Sequence, residues 1–263
     1  LAQGSDLRQK KENHIMRFTI LGMSALALAA VSAPAFAQDA PASDFTVTGG
    51  ATVVSDYRFR GISQTDKRFA VQGTIGVSHA SGLYVGVWGS SIDEYVAAAG
   101  DQEIDLYGGY TKTFGAATVD VGLLYYYYPG SSGIVPYNSD FFEPYASVKG
   151  TFGPVTAKLG VTYAPKQSAL SIGAGKEDNL YTYGELSGAL GPVSLTGHLG
   201  HSFGPSFLTI GKEYTDWSVA ASYTWNHLTF GVSYVDTNKS LASPITGRNI
   251  SKAGVVGSIG VAF

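Results

Sequence analysis

Asp56, Arg58 and Arg60 recur at alternate positions, and Asp66 follows a few residues on. On an extended strand alternate residues share a face, so two guanidinium groups would stand beside one carboxylate. Such a cluster can form part of a constriction that attracts anions or orients solutes. It can equally be an ion-pair network that ties a first loop to a wall. A second set, Glu103, Asp105 and Asp120, falls on the inward positions of two later segments. Facing the arginines or lysines across an interior, it would give a transverse field; paired with Lys149 and Lys158, it would fill that interior. Trp88 and Tyr84 share a face with Gly86 and Ser90, where an aromatic ring can narrow a bore, stack on a ring-shaped solute or pack.

Catalytic and metal chemistry is poorly supplied. The chain has Cys 0, which removes disulfides, thiolate metal sites and cysteine nucleophiles. His79 and His227 fall at turns, and the spacing of His198 and His201 puts them on opposite faces of a strand, so they make no metal pair. No H-E-x-x-H occurs, and the expectation is a non-enzyme without metal or cofactor. A barrel enzyme would have to draw on His198, His201 or Asp93 at the rim, supported by residue type alone.

These side chains need elements to hold them, and the composition restricts which. The 263 residues carry Lys+Arg 17 and Asp+Glu 20, a net charge of -3, with only 14% charged residues. A soluble domain normally carries about a quarter charged residues, so this chain cannot coat an ordinary water-facing surface. The negative balance also excludes a nucleic-acid binder that depends on a basic field. The chain is too apolar and aromatic for disorder, yet beyond the first forty residues or so Gly, Thr, Ser or a charge interrupts every apolar run before it reaches helix-spanning length.

Beyond Phe45 the dominant period is two. Val119, Val121, Leu123, Tyr125 and Tyr127 alternate with Thr118, Asp120, Gly122, Leu124 and Tyr126, and comparable runs occupy 155–163 and 217–225. Tight-turn signals at Ser81-Gly82, Gly115-Ala116, Gly153-Pro154, Gly191-Pro192 and Asn226-His227 recur at about 34- to 38-residue intervals, a hairpin-sized repeat. Longer polar stretches lie between them: Arg60–Lys67, Asp93–Asp101, Pro129–Asp140, Pro165–Glu177, Gly204–Tyr214 and Asn238–Ile250. Strict alternation of short and long connections predicts an all-β, transmembrane up-and-down antiparallel β-barrel of about 12 strands, with short periplasmic turns and longer extracellular loops. Strands are predicted at 45–58, 68–80, 83–92, 102–114, 116–128, 141–152, 155–164, 178–190, 193–203, 215–225, 227–237 and 251–263.

Physics favours closure. In hydrocarbon each unpaired peptide group costs several kcal/mol, so a sheet crosses only when it leaves no edge. The apolar face then meets lipid. The other face lines a pore with Asp56, Arg58, Arg60, Trp88, Glu103, Asp105, Asp120, Glu143, Lys149, Lys158, Glu185 and Lys252, beside His198. Interfacial aromatics should include Phe114, Phe152, Trp225 and Phe263 at the periplasmic ends, and Tyr127, Tyr163, Phe203 and Trp217 at the outer ends.

The first part of the chain reads differently. Residues 1–15 look like an unfolded upstream extension. Met16 to Ala37 carries Arg17, a mostly apolar stretch over 18–31 and the small-x-small triplet Ala35-Phe36-Ala37, and so predicts a removed export signal. Residues 38–44 would be a short periplasmic segment and 45–263 the barrel. The last run, Val255, Gly257, Ile259, Val261 and Phe263, alternates up to a terminal phenylalanine, which resembles the assembly signal of outer-membrane barrels.

Three stretches carry a closer likeness. Val54-Ser55-Asp56-Tyr57-Arg58-Phe59-Arg60-Gly61-Ile62-Ser63-Gln64-Thr65, Ser78-His79-Ala80-Ser81-Gly82-Leu83-Tyr84-Val85-Gly86-Val87-Trp88-Gly89-Ser90 and Glu103-Ile104-Asp105-Leu106-Tyr107-Gly108-Gly109-Tyr110 resemble the TorF family of proteobacterial porin-like proteins, whose function is not established. The resemblance runs from about Phe45 to Phe263 and implies an outer-membrane barrel with transport activity. It brings no substrate and no catalytic residues. The expected function is passive diffusion of small polar solutes across the outer membrane, with a filled structural or surface-interaction barrel as the alternative. The partners implied are outer-membrane lipids, the barrel-assembly machinery and small solutes; the number of subunits stays open.

Overall fold

The computed structural model describes residues 43–131, 139–172 and 175–263. The predicted export signal, Met16 to Ala37, the stretch before it and the residues up to 42 lie outside that range. In chain order the strands are β1 (Phe45–Val54), β2 (Arg58–Phe59), β3 (Ile62–Ser63), β4 (Ala70–His79), β5 (Leu83–Ser91), β6 (Gln102–Phe114), β7 (Ala117–Tyr127), β8 (Phe141–Phe152), β9 (Val155–Ile172), β10 (Gly175–Leu190), β11 (Val193–Phe203), β12 (Tyr214–Trp225), β13 (Leu228–Thr237) and β14 (Gly254–Ala262). All but β2 and β3 form one closed, antiparallel, twelve-stranded barrel. Sequential neighbours pair all the way round, and β1 closes on β14 with Gly50 opposite Ala262 and Val54 opposite Ser258. An even strand number returns both ends of the sheet to the same rim, which is why β1 and β14 can pair antiparallel. That rim also carries the five tight turns and is called here the turn end; the opposite rim is the loop end.

The period-two pattern does what lipid requires. Val119, Val121, Leu123, Tyr125 and Tyr127 are exposed on the outer face, whereas Asp120, Leu124 and Tyr126 between them are buried inside. Phe114, Phe152, Trp225 and Phe263 are exposed at the turn end, and Tyr127, Tyr163 and Phe203 toward the loop end, with Trp217 half-buried. Water would penalise so much exposed apolar surface, and hydrocarbon does not. The fold is a transmembrane β-barrel. Among the described residues no helix is long and apolar enough to cross a membrane.

Three predicted boundaries move. First, β1 stops at Val54 instead of continuing to residue 58. The chain then turns inward as the β2–β3 hairpin, with Arg60 at φ 45° and Gly61 at φ 82° forming its tip. A Cβ on Gly61 would lie 3.0 Å from the Asp216 Cβ and 3.1 Å from the Thr237 Cβ, so glycine serves both the turn and the close approach. Second, Pro165–Glu177 is not a loop: β9 runs 18 residues and β10 runs 16. At about 3.3 Å per residue such strands overshoot the 9–11 residues a bilayer needs, so this hairpin stands beyond the membrane. Pro165 is tolerated because the ladder shifts register between Glu177 and Asn179, beside it. Third, β14 starts at Gly254 and not at 251, because the Asn249 side chain accepts from the backbone N–H groups of Ser251 and Lys252 and holds a local turn.

The apolar core lies inside the barrel toward the loop end. Val54, Tyr57, Leu124, Tyr126, Phe141 and Leu170 pack there, with Ile62, Tyr214 and Ile250 as a second cluster.

Candidate functional site

The β2–β3 hairpin plugs the loop end of the lumen, and its sequence explains how. Asp56 accepts from Arg58 Nε at 2.6 Å and from Ser63 Oγ at 2.6 Å, which braces the base of the hairpin. Arg58 Nη1 donates to the carbonyls of Gly61 at 3.0 Å and Lys252 at 3.1 Å. Arg60 reaches across the bore. It donates to both Glu143 carboxylate oxygens at 2.8 and 2.9 Å, to Asn179 Oδ1 at 2.8 Å and to Thr162 Oγ1 at 3.0 Å. Its guanidinium also lies 4.2 Å from the centre of the Tyr181 ring. Tyr57 donates to Glu103 Oε1 at 2.7 Å and meets Trp88 edge-on.

The plug has a lid. Ser63 N–H donates to the Ile250 carbonyl and Asp93 N–H to the Gln64 carbonyl, while the Tyr95 hydroxyl donates to the Ser63 carbonyl at 2.5 Å. Arg68 pairs with Asp93, and Arg248 with Asp66 at 3.3 Å. Burial pushes the Tyr95 phenol up to about 12. Burial, then the neighbouring Arg58 charge, holds the Lys67 ammonium below its usual range.

Asp56, Arg58 and Arg60, predicted to lie on the first strand, are therefore brought together on the inserted hairpin instead. Glu143 joins them from β8. Glu103 and Asp105 line β6 below the plug, both buried, and Asp105 has no hydrogen-bond partner for either carboxylate oxygen among the described residues. Asp120 belongs to a lower level, where it accepts from Tyr84 at 2.6 Å. Lys149, Lys158 and Glu185 point inward nearer the turn end, with Lys158 3.9 Å from Glu185. Lys252 departs from the prediction: it precedes β14, its side chain is exposed, and only its carbonyl touches the plug.

Sequence reasoning caught Tyr84 but missed the belt of tyrosines to which it belongs. Tyr107 lies over Gly86, Tyr84 over Gly109, Tyr145 over Gly122 and Tyr183 over Gly160, each pair directly opposite on neighbouring strands. Glycine lets each ring lie flat along the wall, which keeps aromatic bulk out of the bore. The signal was present, since inward tyrosines and inward glycines recur at matched register. Asp216 was missed too. It faces His198 Nε2 at 3.2 Å and accepts from Tyr181, while His198 Nδ1 is 3.4 Å from Glu185. His201 points to the outer face, against Thr215 and Phe203, and so does not meet His198. Among the described residues no group of three or more His, Cys, Asp or Glu could hold a metal ion.

Between β1, β4 and β11–β14 a cavity opens that is lined by Thr52, Gln72, Thr196, Ser222, Thr229 and Ser258, with no charged side chain in its wall. Phe263 closes the barrel seam: its N–H and carbonyl pair with Gly49, and its ring is exposed.

A family described as a bacterial protein of unknown function (Gcw_chp) has a sequence model that matches residues 38–262. No curated protein matches. Among solved structures, the NanC porin aligns with a TM-score of 0.54 at 12% identity, covering 83% of this chain and 99% of the porin. An outer-membrane channel from Pseudomonas putida F1 aligns with a TM-score of 0.49 at 12% identity, over 85% of this chain and 96% of that one. At such identities the likeness to the porin is one of fold.

Proposed function

The chain belongs to the Gcw_chp family, bacterial proteins of unknown function, and from its interior we propose that it is a narrow outer-membrane channel for passive diffusion of small polar solutes. The β2–β3 hairpin sets the bore at the outer end, and the tight turns face the periplasm. Within the family, the resemblance of 54–65, 78–90 and 103–110 to TorF proteins favours that narrower placement. Export would proceed by removal of Met16–Ala37, and assembly through the terminal Phe263 strand.

The observation that carries this reading is the unequal lumen. A barrel built only as a scaffold gains most from an apolar interior, because buried charges cost desolvation that their pairing barely returns. Here the wall below the plug is kept polar, with half-buried lysines, tyrosine hydroxyls and an uncharged cavity. Rings laid flat over glycines preserve space that a filling core would use.

The second reading, a filled barrel whose loops interact with partners, draws on the plug itself, since Arg60 and Asp56 are saturated with contacts. Single-channel recording of the refolded mature barrel in planar bilayers separates the two. The channel reading expects discrete conductance steps that grow when residues 58–63 are replaced by a short Gly-Ser link. No current above background in either protein rejects it.

A further inference from the structure

We propose that the turn-end half of the lumen captures a small solute bearing a carboxylate or phosphate group, held between Lys149 and Lys158. The proposal deepens the channel reading and rests on it. Lys149 on β8 and Lys158 on β9 are directly opposite one another in register, and both point inward. Like charges directly opposite on adjacent strands are disfavoured unless something neutralises them. The protein does so only in part.

Every charged group that faces the pair can be accounted for. From β10, Glu185 stands 3.9 Å from Lys158, but it also faces His198 at 3.4 Å, so its charge is shared. From β7, Asp120 accepts the Tyr84 hydroxyl at 2.6 Å, and Tyr84 in turn lies 2.5 Å from the Tyr145 hydroxyl; the Asp120 charge reaches both lysines, but without an ion-pair contact to either. Asp216 on β12 is committed to His198 and Tyr181. Among the described residues no carboxylate lies within ion-pair distance of Lys149. One ammonium thus shares its carboxylate and the other has none in ion-pair contact among the described residues, side by side, within a few residues of the β8–β9 turn and therefore reachable from that rim.

An anion placed between them would relieve the repulsion and gain two charge-assisted hydrogen bonds. The walls suit an occupant of that kind: Tyr145 and Tyr183 lie flat over Gly122 and Gly160, leaving room, and the Tyr183 hydroxyl offers a donor. A cation would meet two ammonium groups, and a neutral polyol would leave their repulsion in place.

The test is calorimetric titration of the refolded barrel in detergent with succinate, with inorganic phosphate, and with putrescine and glycerol as controls. Saturable, salt-sensitive binding of at least one of the two anions is expected, with neither control binding. Affinity should fall about tenfold or more in K149Q/K158Q and stay within about threefold of wild type in K149R/K158R. Heat-modifiability in gels reports that each variant is folded, and the single variant K149Q stands in if the double variant is not. Binding that survives neutralisation of the lysines, or no binding of either anion, overturns the site. If anions bind in a lysine-dependent way but bilayers carry no current, the channel reading falls and the site remains. Current without anion binding does the reverse.

Discussion

The two halves of the lumen are built from the same alternation yet solve opposite problems. At the loop end, Asp56, Arg58, Arg60 and Glu143 are almost wholly withdrawn from water and hold one another and their neighbours through hydrogen bonds. At the turn end, Lys149, Lys158 and Glu185 are half-buried, loosely paired and set among hydroxyls. Removing a charge from water costs several kcal/mol per ion unless pairing and hydrogen bonds restore it, so the first arrangement is a fixed structure and the second is a solvated wall. A barrel that needed only to be stable would have no use for the second, and one that needed only to conduct would have none for the first. The contrast is what the proposed narrow channel requires.

The largest break in that contrast should come from Arg60. Arg60→Met leaves Glu143 buried beside Asn179 and Tyr126 without its guanidinium partner, at a cost of about 3–5 kcal/mol of stability in urea unfolding. Removing both charges, as Arg60→Met with Glu143→Leu, should recover most of that loss while loosening the plug, and so raise single-channel conductance. If the double variant is stable but conducts as wild type does, the plug is not on the solute path.

Next in size is the tyrosine belt. Gly122→Ala would drive a methyl group into the Tyr145 ring and hydroxyl, and overpacking of this kind costs about 1–3 kcal/mol. The matched control is Gly197→Ala on β11, where a Cβ meets nothing within 4 Å and the change should stay within about 0.5 kcal/mol. Equal melting behaviour of the two variants would mean that the rings are not held against the wall. Tyr57→Phe should cost about 1–3 kcal/mol, because it strips Glu103 of a buried donor.

How far the sequence revealed all this depends on range. The strand over 102–114 was readable to the residue, because its alternation answers directly to lipid on one side and water on the other. The role of Arg60 was not. Its partners Glu143 and Asn179 lie 83 and 119 residues away, and local periodicity places Arg60 on a strand wall. The polar stretch Arg60–Lys67 announces a connection, but nothing in it says that the connection turns into the bore. Pro165 misled in the other direction: it reads as a loop, but a bulge accommodates it and the hairpin grows tall. Glu103, Asp105, Asp120 and Glu143 lie on the inner face that the alternation gives them, yet their height along the barrel, which separates Glu103 and Asp105 from Asp120, follows from strand stagger that only closure fixes.

The smallest predicted effect sharpens the comparison at the lid. Tyr95 donates to the Ser63 carbonyl, and burial raises its phenol to about 12, against about 10 in an unfolded chain. A raised folded value means the lid's contribution is complete below pH 10 and drains away as pH climbs through 12, because the unfolded chain ionises first. Tyr95→Phe lacks that proton, so it should be slightly less stable at neutral pH and should lose less between pH 10 and 12. Wild-type current should grow over the same window as the lid releases the hairpin, while the variant's current stays flatter. The turn-end wall has no part in this contact. Alkaline opening that persists unchanged in Tyr95→Phe would move its origin away from the lid.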